Sequence, residues 1–203
     1  MTPPVDEARR KLLLGAFWMP SVQTMVSRKS SITNAFVNAI IPVIPPTAEE
    51  IEQALAILRI DAAQLRCAYC SDKATEWDHL RPLVMKHRPT GFVSEIANLV
   101  PSCGKCNQSK GNKPWRTWMQ SKAPLSPTGR ALADVAVRIE RLEEYERWRT
   151  PTTVDFEKLL GKDVWEGYWE LYDGVIVQMK RCQDVADALR AKVRMMLQAP
   201  VPD

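Results

Sequence analysis

Two short segments of the chain share one pattern: Cys67-Ala68-Tyr69-Cys70 and Cys103-Gly104-Lys105-Cys106. Each C-x-x-C pair can present two thiolates from one tight turn, and two such turns supply the four ligands of a tetrahedral zinc site. In a cytoplasmic chain this arrangement indicates structural zinc rather than disulfides. We therefore predict one structural zinc ion per chain on Cys67, Cys70, Cys103 and Cys106. Redox motifs or incidental thiols are the alternative.

The segment between the two pairs is longer than in simple zinc sites. It holds 32 residues, whereas about 15–20 is usual. Its β-branched and aromatic residues at 74–80 predict a strand, Pro89-Thr90-Gly91 predicts a turn, and residues 96–101 predict a second strand. A short helix is expected to begin at the second cysteine pair. The predicted order is strand, strand, helix, held at its base by zinc.

Residues suited to metal binding and proton transfer stand in and beside this insert. Asp78 offers a hard oxygen ligand for magnesium, and the adjacent His79 imidazole can take a proton from water near neutral pH. Asn107 offers an amide oxygen to the same cation, and Asn98 on the facing strand can hold the loop that carries His79. Neighbours on a regular strand point to opposite faces, so Asp78 and His79 can share a site only if the strand ends or twists there. Pro82 favours a strand that stops.

The same region is rich in cations. Residues 79–93 and 98–122 contain no acidic residue. We predict that four side chains from this region contact nucleic-acid phosphates: Arg81, Lys110, Lys113 and Arg116. The net charge of the whole chain is only +4, which by itself decides nothing. A cation ligand, a base and positive side chains around one point are what phosphodiester hydrolysis requires.

The combined pattern resembles the HNH endonuclease family in its zinc-clamped form. The matching residues are Cys67-x-x-Cys70, Asp78-His79, Asn98 and Cys103-x-x-Cys106-Asn107-x-x-Lys110-Gly111. The resemblance covers residues 65–120, about a quarter of the chain, in the order of that family. It implies a ββα-metal fold that cleaves nucleic acid, usually DNA, with one divalent cation.

The resemblance also implies a role for each matching residue. His79 is the general base that activates water, Asp78 and Asn107 bind a catalytic Mg²⁺ or Mn²⁺ ion, and Asn98 positions the catalytic loop. Asn107 occupies a position that is often His in the family. The implied products are a 5′-phosphate and a 3′-hydroxyl, and no small-molecule cofactor is expected.

Two other classes of protein carry zinc on similar motifs. A zinc deaminase requires H-x-E and P-C-x-x-C, but Leu80-Arg81 follows His79 and Ser102 separates Pro101 from Cys103, so this class is excluded. A non-catalytic zinc-containing DNA-binding module stays open as an alternative. Binding alone, however, has no need of an acidic side chain among the cations.

Composition places the chain among ordinary globular proteins, with 45% hydrophobic and 26% charged residues. No apolar run approaches the roughly 20 residues that span a bilayer, so we expect no membrane association. The first residues include Asp6 and Glu7 and lack the basic segment of a secretory signal. We therefore expect a cytoplasmic protein.

Helical patterns flank the insert on both sides. The sequence predicts helices at 5–19, at about 33–40, from a capping box at 47–50 to about 60, over an apolar stripe at 132–145, and as one short and one long helix within 154–197. The predicted fold class is α+β and α-rich, with a small ββα-metal core and a structural four-cysteine zinc site between N- and C-terminal helices. We predict three regions: 1–64 for DNA recognition, 65–122 as the HNH nuclease core, and 123–203 for dimerisation.

These expectations combine into a metal-dependent DNA endonuclease. We predict a sequence-specific type II restriction endonuclease of a restriction-modification system, acting on double-stranded DNA as a homodimer. One active site cuts one strand, and a twofold dimer on a palindromic sequence supplies two. A phage or mobile-element nickase and a weakly specific defence nuclease are alternatives within the same class.

Overall fold

The computed structural model of the protein describes residues 6–198. Within that range the helices are α1 Glu7–Ala16, α2 Lys29–Ile40, α3 Ala48–Leu58, α4 Gly104–Lys110, α5 Trp115–Met119, α6 Val135–Trp148, α7 Phe156–Leu160 and α8 Lys162–Gln198. The strands are β1 Glu76–His79, β2 Val84–Met85, β3 Arg88–Pro89 and β4 Leu99–Ser102. The predicted α-rich α+β class is confirmed.

The strands form two small antiparallel sheets. β1 pairs with β4, with Asp78 opposite Val100 and His79 opposite Leu99. β2 and β3 form a separate hairpin between them in sequence. Because α4 begins directly after β4 and carries the second cysteine pair, β1, β4 and α4 make the predicted strand, strand, helix core.

The described residues divide into two compact units. Residues 30–175 form the larger unit, and residues 6–29 and 176–198 form the smaller one. In the smaller unit, the Met25 backbone N–H donates a hydrogen bond of 2.7 Å to Gln183 Oε1. The zinc-type cluster and the catalytic candidates all lie in the larger unit.

One buried cluster of side chains surrounds the four cysteines. Tyr69 and Trp118 are fully buried and meet edge to face, with ring centroids 5.1 Å apart. α3 contributes Ala54 and Leu58, and α6 contributes Ile139, Leu142 and Tyr145. Burying an aromatic or aliphatic side chain contributes about 1.5–3 kcal/mol, so these flanking helices stabilise the small core. All three predicted regions share this cluster, and the boundaries after residues 64 and 122 stay a prediction.

The capping box that the sequence predicts fixes the start of α3. Thr47 Oγ1 accepts from the Glu50 backbone N–H at 3.2 Å, and the Glu50 carboxylate accepts from the Thr47 N–H at 2.9 Å. Such reciprocal bonds satisfy two donors that the first helical turn leaves without partners. The helix then ends at Leu58, because Arg59 adopts a left-handed conformation with φ 54°.

Other boundaries differ from the sequence prediction. The helix predicted at 5–19 spans 7–16, and residue 5 lies outside the described residues. Residues 96–98 form a 3-10 turn before β4, and α6 begins only at Val135. α8 continues through Gly167 and Gly174, where added methyl groups would meet open space. No helix within residues 6–198 is both long enough and apolar enough to cross a membrane.

Candidate active site and zinc cluster

The four paired cysteines come together in the larger unit. Their Sγ atoms lie within 4.8 Å of one another, and all four residues are buried. The Cys70 and Cys103 sulfurs are 3.6 Å apart, far beyond the ~2.05 Å of a disulfide bond. A tetrahedral zinc with ~2.3 Å Zn–S bonds requires sulfurs about 3.8 Å apart. The cluster therefore fits zinc, as the sequence predicted.

Local backbone geometry holds each cysteine pair in place. In the first pair, the Ser71 N–H donates to the Cys67 carbonyl and the Cys67 N–H donates to the Asp72 carbonyl, both at 2.8 Å. In the second pair, Cys103 is the N-cap of α4 and Cys106 lies in its first turn. Arg130 reaches from the chain after α5, with Nη1 3.9 Å from the Cys106 sulfur and Nη2 3.2 Å from Asp72 Oδ2. A cation beside four thiolates offsets their negative charge.

Asp78 lies on β1 in a buried ion pair. The Tyr69 hydroxyl donates to its Oδ2 at 2.7 Å, and Lys110 Nζ lies 3.0 Å from the same oxygen. Burial raises the pKa of the Asp78 carboxyl, and the Lys110 ammonium opposes that effect. Two donors aimed at one carboxylate favour its ionised form. Oδ1 accepts only the 3.2 Å bond from Lys110 among the described residues, which leaves it a lone pair.

The sequence predicted that Lys110 contacts a nucleic-acid phosphate, but in the structure its partners are groups of the protein itself. Its side chain is fully buried, and its ammonium donates to the carbonyl oxygens of His79 at 2.8 Å and Gly111 at 3.3 Å as well as to Asp78. Burial lowers the pKa of Lys110, and Asp78 opposes that effect. In this arrangement Lys110 links the end of α4 to β1 and has no free donor for a bound phosphate.

His79 is the last residue of β1, which ends where the sequence required it to end. Its Nε2 lies 2.8 Å from the Ser94 hydroxyl. Burial, and after it the Lys110 ammonium, lowers the pKa of His79 to about 4. The imidazole is therefore neutral at pH 7 and carries a nitrogen lone pair that can accept a proton.

Asn98 clamps the chain just beyond His79. It is fully buried, its Oδ1 accepts from the Arg81 N–H at 2.8 Å, and its Nδ2 donates to the Arg81 carbonyl at 3.1 Å. Its own carbonyl accepts from the Leu80 N–H at 2.8 Å. One side chain thereby satisfies both backbone groups of Arg81, two residues after His79, which fixes the path of this loop.

Asn107 faces a carboxylate that the sequence analysis did not single out. Its Nδ2 donates to Glu76 Oε2 at 3.0 Å. That bond requires the NH2 end of the amide to face Glu76, so Oδ1 is the atom left to bind a cation. Glu76 stands two residues before Asp78 on β1, and this spacing places both on one face of the strand. Gly104 leaves room for Glu76, because a Cβ there would lie 3.0 Å from Glu76 Oε1.

Asp78, His79 and Asn107 line one cavity. Asn34 and Asn38 of α2 line the same cavity. α2 is held near the site because the chain after it pairs with Ser94, the residue bonded to His79: Ile44 N–H donates to the Ser94 carbonyl at 2.8 Å. The cavity thus combines a carboxylate oxygen, an amide oxygen and a neutral imidazole. Two such oxygens fit Mg²⁺ or Mn²⁺, which prefer oxygen ligands and keep several waters.

The other predicted phosphate contacts have protein partners. Arg81 forms an ion pair of 2.9 Å with Glu146, and Arg116 forms one with Glu143, both on α6. Lys113 Nζ donates to the Ser109 carbonyl at 2.8 Å, at the end of α4. The acidic residues of α6 therefore offset part of the positive charge predicted for this region. Contact of Arg81, Lys113 or Arg116 with nucleic acid stays a prediction.

Comparison with known proteins agrees with this geometry. Residues 67–113 match the family model described as HNH endonuclease. The chain therefore contains an HNH endonuclease domain, which confirms the resemblance seen in the sequence. The chain is also 33% identical over 100 residues to the CRISPR-associated endonuclease Cas9 of Corynebacterium diphtheriae. That match covers 46% of this chain and only 8% of the relative. No solved structure is significantly similar to the chain.

Proposed function

We propose that the protein is a metal-dependent DNA endonuclease that hydrolyses a phosphodiester bond to a 5′-phosphate and a 3′-hydroxyl. The observation that carries the proposal is the shared cavity of Asp78, His79 and Asn107 inside an HNH endonuclease domain. A protein that only bound DNA would have no use for a neutral imidazole beside a carboxylate in one cavity. The HNH domain and its relative's description as an endonuclease support the same activity.

The proposed mechanism assigns one task to each residue. His79 accepts a proton from a water molecule as the water oxygen forms a bond to phosphorus. The bond from phosphorus to the 3′-oxygen breaks, and that oxygen takes a proton from solvent. A Mg²⁺ or Mn²⁺ ion held by Asp78 and Asn107 would polarise the phosphate and stabilise the leaving oxygen. Asn98 holds the loop beyond His79, and Glu76 keeps the Asn107 oxygen directed away from itself.

The zinc on the four cysteines has a structural part in this proposal. Four thiolates complete a tetrahedron and leave no position for substrate, which is typical of structural zinc. The cluster joins the segment before β1 to the start of α4, and so joins the two ends of the core that bears Asp78 and Asn107.

The decisive experiment is cleavage of supercoiled plasmid with Mg²⁺ or Mn²⁺ by the wild-type protein and by His79→Ala. We expect nicked or linear product from the wild type and a loss of at least about a hundredfold in the variant, the usual range for a general base. Zinc content and DNA binding of the variant are the controls, and both should be unchanged. Equal cleavage by His79→Ala would refute the mechanism.

We further propose a sequence-specific type II restriction endonuclease that acts as a homodimer on double-stranded DNA. α8 supports a dimer, since exposed Val185, Leu189, Val193 and Met196 recur at helical spacing. The restriction role rests on the need for two active sites to break both strands. Sedimentation of the protein on DNA tests the dimer. Digestion of a mixed DNA library, followed by sequencing of the ends, separates a restriction enzyme from a nickase or a weakly specific nuclease.

A further inference from the structure

The catalytic cavity continues into a second one. The second cavity is lined by Asn34, Val84 and Asn112, which also line the first, and by the tip of the β2–β3 hairpin. The two cavities adjoin, and we call them together the α2–hairpin groove. Its lining extends from His79 to the hairpin tip at Lys86 and His87 and includes Ser30, Asn34 and Asn38 of α2.

The hairpin tip has a strained backbone with two exposed side chains. Lys86 and His87 form the two-residue loop between β2 and β3, with φ angles of 49° and 64°. A two-residue loop with both φ angles positive favours Asn-Gly, because the Cβ atom crowds the backbone at positive φ, and glycine has none. Within residues 6–198, neither side chain forms a hydrogen bond or ion pair. The strain is therefore not offset by a contact within the described fold.

The hairpin is firmly attached below this tip. The Arg88 guanidinium lies 4.4 Å from the centre of the Trp169 ring and 3.8 Å from the Asp173 carboxylate, both on α8. Thr90 Oγ1 donates to the Pro82 carbonyl at 2.7 Å across the base of the hairpin. Lys86 and His87 are thus presented on a fixed support rather than on a loose loop.

The side chains that α2 contributes to the groove are polar and uncharged. Ser30, Asn34 and Asn38 are exposed and stand four residues apart on α2, which places them in one row along the helix. Thr33, which also lines the second cavity, and Val37 are buried, and Thr33 Oγ1 lies 2.8 Å from the Tyr172 hydroxyl. Asparagine can donate and accept at once, which suits the edges of bases and particularly adenine.

We propose that the α2–hairpin groove holds the nucleic-acid strand next to the scissile phosphate. Lys86 and His87 contact a backbone phosphate near that bond, and Asn34 and Asn38 contact the edges of the adjacent bases. The inference rests on the proposed nuclease function, since His79 lies at one end of the groove. It gives the strained hairpin and the polar row on α2 a common ligand, a strand of nucleic acid.

The hairpin offers a sharp test, because the residues that best suit the loop backbone, Asn-Gly, cannot make the proposed phosphate contacts. The double variant Lys86→Asn/His87→Gly has the preferred loop residues, so its thermal midpoint should be equal to or above that of the wild type. Lys73→Asn is the matched control, since Lys73 is an exposed lysine that lines neither cavity of the groove. Lys86→Gln removes the charge alone and serves as the second variant.

Binding is measured by fluorescence anisotropy with a labelled 30-base-pair duplex and its single strand, without added divalent cation, from low to high NaCl. We expect Lys86→Asn/His87→Gly to bind about five- to tenfold more weakly, with the slope of log affinity against log salt reduced by about 1. Lys86→Gln should show the same reduction in slope, and the affinity and slope of Lys73→Asn should match those of the wild type. If the folded double variant had the affinity and slope of the wild type, the proposal that the groove holds nucleic acid would be wrong.

The two proposals fail in different ways. If the wild type binds DNA but never cuts it, and the hairpin variants bind DNA more weakly, the proposed role of the groove is supported and the nuclease function is refuted. If the wild type cuts DNA and the hairpin variants bind and cut DNA as well as the wild type does, the nuclease function is supported and the proposed role of the groove is refuted. Asn34→Ala/Asn38→Ala supplies a separate readout, since it should alter the base preference next to the cut ends. An unchanged preference overturns the base contacts.

Discussion

Replacing Lys110 by methionine distinguishes two roles for this residue: the buried ion pair with Asp78 in the structure, and the phosphate contact predicted from the sequence. Methionine has a similar length and no charge, so it leaves the Asp78 carboxylate buried with only the Tyr69 hydroxyl as a donor. Removing one partner of a buried ion pair costs about 3–5 kcal/mol. For a chain of this length, 1 kcal/mol corresponds to about 2–4 °C, so the thermal midpoint should fall by roughly 6–20 °C.

Urea unfolding followed by tryptophan fluorescence measures the loss in the free energy of unfolding. The matched second variant is Lys110→Met/Asp78→Asn, which removes the charge left unpaired and keeps an acceptor for Tyr69. We expect it to recover part of the loss, because the two substitutions are coupled through one ion pair. A phosphate-binding lysine behaves differently. If Lys110→Met were as stable as the wild type and only the salt dependence of DNA binding fell, the buried-pair interpretation would be wrong.

Three further predictions concern proton transfer and metal binding. Because the pKa of His79 is lowered to about 4, the initial rate of cleavage should rise with pH around pH 4 and stay constant from pH 5 to 8. An inflection of the rate near pH 6.5 would contradict a buried imidazole. Cys70→Ser should lose bound zinc, measured by elemental analysis, and unfold at lower temperature, because metal binding contributes folding free energy. Glu76→Ala should raise the Mn²⁺ concentration for half-maximal cleavage by about tenfold, and Glu76→Gln, which keeps an acceptor, should raise it less.

The sequence predicted the HNH core because its chemistry is local. Two C-x-x-C pairs constrain the backbone wherever the rest of the chain goes, and the Asp78-His79 motif lies in the first strand of the segment between them. The α6 stripe was equally readable, since Ile139, Leu142 and Tyr145 recur at helical spacing and are buried together.

The β2–β3 hairpin was not predicted, because the nearest turn signal in the sequence has another cause. Pro89-Thr90-Gly91 predicted the turn, yet Pro89 lies in β3 and the loop is Lys86–His87. Gly91 has φ 98°, and a Cβ there would lie 2.9 Å from the Val154 carbonyl oxygen. The glycine therefore serves a close approach between distant segments, which no local pattern reveals. A Lys-His loop with two positive φ angles gives no turn signal in the sequence.

The predicted phosphate contacts depended on information outside the local sequence. An acid-free run around Arg81 and Arg116 reads as a positive surface, but their partners, Glu146 and Glu143, come from a helix far along the chain. Glu76 was missed although its spacing from Asp78 was a usable signal, since residues two apart on a strand share a face. For Ser94, whose hydroxyl lies beside His79, the sequence holds no signal.

Lys110 also ties the protonation states of the two catalytic candidates together. Its ammonium opposes the rise that burial causes in the pKa of Asp78, and the same charge adds to the lowering that burial causes in the pKa of His79. Lys110→Met should therefore raise the pKa of both groups. Asp78 would lose its charge, and His79 its lone pair, at a higher pH than in the wild type. Both changes move the acidic limb of the pH–activity profile upward, and initial rates from pH 4 to 8 should show that shift. An acidic limb that stays in place would mean that burial alone sets these protonation states.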